Sequence, residues 1–164
     1  MKALALFLLV FVSVLNVSAQ PVVVIVRHGE KAAIGGNDPD LSSTGRARAN
    51  ELARILKDSG ITAIFTSEFK RTQETAAPTA TSTHVTPTVV AAKDTAALVA
   101  KLHQLNGNAL VVGHGDTIPN ILKALGINSS INIADADYSE LLIVILGDKS
   151  QLFRLHYPDG EQSR

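Results

Sequence analysis

Val22-Val23-Val24-Ile25-Val26 is an unbroken run of β-branched residues. A segment apolar on both faces predicts a central strand in a covered parallel sheet. Arg27, His28, Gly29 and Glu30 follow directly, where that strand must end. Open α/β sheets bind ligands at the carboxyl ends of their strands, so a cation and an imidazole stand where a site is expected. One such junction is a weak signal, and its weight depends on whether the chain repeats it.

The rest of the composition is compatible with that reading. The chain has 164 residues, 46% of them hydrophobic, and a formal charge of +0, which suits one compact domain with an ordinary core. Charge balance and the lack of a basic run argue against a nucleic-acid binder. At 4% aromatic residues, stacking platforms for bases are also not expected.

Residues 1–19 read as a signal peptide: Lys2 gives a basic start, Leu4 to Leu15 is apolar except for Ser13, and Val17-Ser18-Ala19 supplies small residues at a cleavage position. Cleavage after Ala19 would leave residues 20–164 as the mature domain, exported to the periplasm or the extracellular space. A retained anchor is the alternative, but the apolar stretch is short for a membrane span. The chain contains no cysteine, which rules out disulfides and cysteine metal sites.

Along the mature chain, Lys31 to Asp40 is a Gly/Asn/Asp-rich loop. Ser42 or Ser43 caps a helix running to about Asp58, with Ala49, Leu52, Ala53 and Leu56 on one face. Arg46, Arg48 and Arg54 point away from that face and are read as solvated. Ile61–Thr66 is a second strand, and Ser67 is read as the cap of a second helix carrying Arg71 on its first turn. Thr79 to Thr88 reads as loop plus one edge strand into Val89-Val90. Asp94 or Thr95 caps a helix through Leu105. Ala109–Val112 is another buried strand, followed by Gly113-His114-Gly115-Asp116 and a helix from Thr117 to Leu125. Glu140–Leu146 and Gln151–Tyr157 predict a C-terminal antiparallel hairpin at one sheet edge. Alternating strands and helices imply a mainly parallel sheet.

Three strand ends thus lead into candidate phosphate-binding groups: Arg27-His28, Arg71 and His114. A helix N-terminus favours an anion, and arginine adds a forked pair of donors. Imidazole, with a reference pKa near ~6.5, keeps a lone pair available for phosphoryl transfer at neutral pH. Nothing in the sequence demands a metal or cofactor if the arginines carry the charge. Neither histidine motif has zinc-site spacing. His84, His103 and His156 receive no role.

Arg27-His28-Gly29-Glu30, Leu41-Ser42-x-x-Gly45, Ser67-x-x-x-Arg71-Thr72-x-x-Thr75-Ala76 and Val112-Gly113-His114, in that order, resemble the histidine phosphatase superfamily, also called phosphoglycerate mutase-like. The resemblance implies a three-layer α/β/α sandwich and a nucleophilic His28 that becomes phosphorylated. It also implies a phosphate pocket of Arg27, Arg71 and His114. The general acid is not aligned: Asp116 is one candidate and Glu30 the other. Asp116 reads equally as the cap of the following helix, and Glu30 as a loop carboxylate orienting Arg27 or Lys31. The expected activity is hydrolysis of a small-molecule phosphomonoester or phosphoramidate. A non-catalytic phospho-ligand-binding module and a phosphomutase are the alternatives.

Overall fold

The computed structural model describes residues 20–128 and 130–158. The leader read at 1–19 lies outside the described residues. Among those described, no helix is long and apolar enough to cross a membrane.

Six strands form one sheet in the order β3-β2-β4-β1-β5-β6. These are β1 Val22–Arg27, β2 Ile61–Thr66, β3 Thr88–Val89, β4 Asn108–Gly113, β5 Glu140–Ile145 and β6 Gln151–His156. The helices are α1 Ser43–Leu56, α2 Lys70–Thr83, α3 Thr95–Leu102 and α4 Ile118–Ala124. β1 pairs in parallel with β4 and antiparallel with β5, so the β-branched run is central. Side chains alternate across a strand, and both sets are covered. Val23 and Ile25 join Leu98, Leu102, Ile118 and Leu122 from α3 and α4. Val24 and Val26 join Leu52, Leu56 and Ala76 from α1 and α2. Helices on both faces of the sheet make three layers, and burial on both sides is why β1 shows no polar alternation. The β5–β6 hairpin lies at the sheet edge, as its spacing predicts.

Two backbones meet without side chains between them where β1 ends. A Cβ on Gly29 would lie 2.8 Å from the Gly45 carbonyl oxygen, and one on Gly45 would lie 2.8 Å from the Glu30 nitrogen. Ser42 N–H donates to the Glu30 carbonyl at 2.8 Å, and Ser42 Oγ caps α1 by accepting from Gly45 N–H at 3.0 Å. Glycine at both positions lets α1 start against the loop that carries His28.

α2 departs from expectation at both ends. It begins at Lys70 with Phe69 in the cap position and no side-chain cap, so Ser67 does not cap it. It continues through Pro78 to Thr83, where a loop was expected. Thr72, Thr75, Ala76 and Thr79 recur at helical spacing on the buried face. Threonine hydroxyls also bond back along the helix, Thr75 to the Arg71 carbonyl at 2.6 Å and Thr83 to the Thr79 carbonyl at 2.8 Å. Packing of this face overrides the low propensity of a Thr/Pro-rich segment. α3 stops at Leu102, short of the predicted Leu105.

Candidate active site

The pairing of β1 with β4 sets Arg27 opposite Gly113. The next residue on each strand is therefore a histidine beside a histidine. His28 N–H donates to the Gly113 carbonyl at 3.0 Å, and the two imidazole centroids lie 5.2 Å apart at 63°. β2 pairs with the other side of β4, and α2, which follows it, brings in Arg71. Arg27, His28, Arg71 and His114 thus meet at the carboxyl ends of parallel strands.

His28 is 4% exposed, and its Nδ1 lies 2.8 Å from the Gly29 carbonyl oxygen. A carbonyl only accepts, so the proton of the neutral ring sits on Nδ1 and the lone pair is left on Nε2. Burial is the main force keeping this ring neutral. His114, Arg71 and Arg27 add to it against the Gly29 bond, and together they lower His28 to about 3. Burial and Arg71 likewise lower His114, while Asp116 and Glu68 oppose them.

That value has a measurable consequence. The His28 ring in the free protein is expected to remain neutral with Nδ1 protonated from pH 8 to pH 5, giving imidazole ¹⁵N shifts that do not titrate. An unfolded histidine takes up its proton near ~6.5, above the folded value, so acid favours the unfolded chain. The contribution of His28 to stability is full above the unfolded value and is lost as pH falls from there toward 3. A titration midpoint near neutrality in the folded protein would contradict this.

The arginines share an unusual feature. Arg27 is 7% exposed, and its Nη1 donates to the carbonyls of Ala134, Asp135 and Asp137 at 2.8, 2.9 and 3.2 Å. Arg71 Nη1 faces Asp38 at 3.5 Å, and its guanidinium lies 4.3 Å from the Phe69 ring centroid. In both arginines the Nε is buried with no hydrogen-bond partner. Leaving a buried donor unmet costs about 1–3 kcal/mol, more when it is charged. Two such donors beside two imidazoles make a ready anion site.

Ser67, read as a helix cap, has another function. Its Oγ lies 2.9 Å from His114 Nε2 and 2.9 Å from Thr72 Oγ1, which fixes the His114 ring. Arg48, read as solvated, is 7% exposed and holds Glu30 through bonds of 2.9, 3.0 and 2.6 Å. Glu30 therefore orients neither Arg27 nor Lys31. The Asp116 side chain is exposed, and α4 begins at Ile118 with Thr117 in the cap position and no side-chain cap. Asp116 is thus not the cap, but its charge reaches His114. No local pattern marks Tyr138 or the carbonyls of 134–137 as site neighbours. They approach through a loop distant in sequence.

Among the described residues, Asp137, Glu140 and His156 bring ligand atoms within 4.8 Å of one another. Glu140 is already held by Arg154 at 2.7 Å, and Asp137 accepts from Ser139 N–H and Oγ–H at 2.9 and 2.8 Å. These carboxylates serve the base of the hairpin.

Comparison with known proteins gives a sequence match over residues 23–93. That pattern belongs to the histidine phosphatase superfamily, branch 1. It takes in Arg27, His28, Glu30 and Arg71 but stops before His114, which the sheet brings to them. No curated protein sequence matches the chain. A mycobacterial glucosyl-3-phosphoglycerate phosphatase in complex with inorganic phosphate is similar in structure, with a TM-score of 0.70 and 17% identity over 85% of this chain and 99% of that one. The protein histidine phosphatase SixA with tungstate has a TM-score of 0.66 and 18% identity over 82% of this chain and 96% of that one. At such identities the likeness shows a shared fold.

Proposed function

We propose that this chain is a phosphatase that hydrolyses a phosphomonoester or phosphoramidate through a covalent phosphohistidine at His28. The observation that carries this reading is the pair of buried, unpartnered arginine Nε donors beside a histidine whose free Nε2 holds its lone pair. The names of the structural neighbours, a sugar-phosphate phosphatase and a protein histidine phosphatase, support the same reaction class.

The phosphoryl oxygens seat against Arg27, Arg71 and His114. His28 Nε2 attacks phosphorus in line, and the bond to the leaving group breaks with its electron pair going to the leaving atom. The leaving atom then takes up a proton, with Asp116 as the candidate donor. The positive charge that develops on His28 is relieved through Nδ1–H and the Gly29 carbonyl. In the second step water attacks phosphorus, the P–N bond breaks, and its electrons return to Nε2. Water's proton passes to the conjugate base of the acid, and inorganic phosphate leaves. The transition state is loose, with its charge on the equatorial oxygens. The two arginines supply the stabilisation that such charge needs.

Arg71→Ala is expected to lower kcat/KM on p-nitrophenyl phosphate by about 10²–10³-fold, the usual cost of one preorganised donor. Asp116→Asn is expected to spare kcat/KM on that substrate, which reports the first step and whose leaving group needs little protonation, and to lower kcat/KM on alkyl phosphates. Full activity in Arg71→Ala would remove the anion cradle from the reaction. Wild-type protein that binds phosphate but turns over no ester would favour a receptor instead.

A further inference from the structure

Arg27 is held by a segment that takes no part in the bond-making and bond-breaking of the proposed reaction. Its Nη1 is taken up by the carbonyls of Ala134, Asp135 and Asp137. The Tyr138 ring lies over the guanidinium at 4.4 Å from Cζ, and its centroid is 6.0 Å from that of His28. The loop is itself braced: Asp137 N–H donates to the Ala134 carbonyl at 2.9 Å, and Asp137 Oδ1 accepts from both donors of Ser139. Ile133, at 4% exposure, anchors its start in the core. Gly115 borders the same guanidinium, since a Cβ there would sit 3.5 Å from Cζ and 3.6 Å from Nε.

We propose that Tyr138, with the carbonyls of 134–137, is the positioning element of Arg27: it draws Nη1 away from the reacting centre and aims the unpartnered Nε at the substrate phosphate. This rests on the phosphatase reading. Arg71 is paired with a carboxylate, Asp38. Arg27, in contrast, is held by neutral acceptors and an aromatic face, so its charge stays available to an anion. Stacking on an aromatic ring also fixes the plane of the fork, and a donor already in place needs no reorganisation when charge develops. Tyr138 acts through Arg27 and is not itself a catalytic residue.

The test is calorimetric titration of inorganic phosphate into wild type, Tyr138→Leu and Tyr138→Phe, with the melting temperature of each recorded. Tyr138→Leu is expected to bind phosphate about tenfold more weakly at a nearly unchanged melting temperature, and Tyr138→Phe to bind like wild type. In an Arg27→Ala background, Tyr138→Leu is expected to have no further effect. That outcome separates positioning from a general structural role, and the recorded melting temperatures separate a loss of phosphate binding from a loss of fold. Unchanged affinity in Tyr138→Leu, equal loss in Tyr138→Phe, or a full additional loss in the Arg27→Ala background would overturn the proposal alone. Wild type that takes up no phosphate would overturn the phosphatase reading as well.

Discussion

Replacing His28 with alanine is expected to abolish phosphatase turnover, lowering kcat by about 10⁴-fold or more, as loss of a covalent nucleophile does. The size of the effect follows from the geometry. His28 is held by its own strand end and by the Gly29 carbonyl, which leaves Nε2 as the free nitrogen. In His114, the neighbouring imidazole, Nε2 is engaged by Ser67 instead. Phosphate affinity should fall much less than turnover, since Arg27 and Arg71 remain. Steady-state assay of the variant against p-nitrophenyl phosphate, with phosphate titration alongside, separates the two effects. Retention of even a tenth of wild-type turnover would mean that another group attacks phosphorus.

The second large effect is on stability. Glu30→Gln and Arg48→Met are each expected to destabilise the fold by about 3 kcal/mol, because either change strands a largely buried charged or polar partner. The Arg48 side chain is 9% exposed and that of Glu30 21%. Arg48 also donates to the Tyr157 carbonyl at 3.2 Å. The pair thus ties the loop after His28 to α1 and to the end of β6. For a domain of this size the loss should appear as a drop of about 10 °C in melting temperature. The same variant bears on proton donation: if Glu30 were the general acid, Glu30→Gln would slow alkyl esters while sparing p-nitrophenyl phosphate. With its carboxylate gripped by Arg48, the expected result is a lower melting temperature and no such selectivity between esters.

Much of this architecture could be read from the chain because it depends on local pattern. A β-branched run covered on both faces looks the same in sequence as in the sheet, and Ser42 and Asp94 cap α1 and α3 as their residue type suggests. His28 and His114 could be paired from sequence because parallel strands end at a common rim. What was hidden depends on contacts distant along the chain. Arg48 lies off the apolar stripe of α1, and only the loop after β1 gives it a carboxylate. Ser67 looks like a cap because it precedes a helix, yet that helix starts later and its hydroxyl serves an imidazole from β4. The Thr/Pro-rich end of α2 is helical because its buried face packs, which propensity alone does not reveal. Tyr138 belongs to a loop whose purpose depends on Arg27, more than a hundred positions earlier.

In the proposed reaction phosphorus is carried on His28, a state that rapid acid-free quenching in alkali of enzyme mixed with ³²P-labelled substrate would trap. The expected result is a base-stable, acid-labile label on the proteolytic peptide that contains His28, absent from the His28→Ala protein. Steady turnover with no label on that peptide, or with the label on a different residue, would mean that His28 is not the nucleophile.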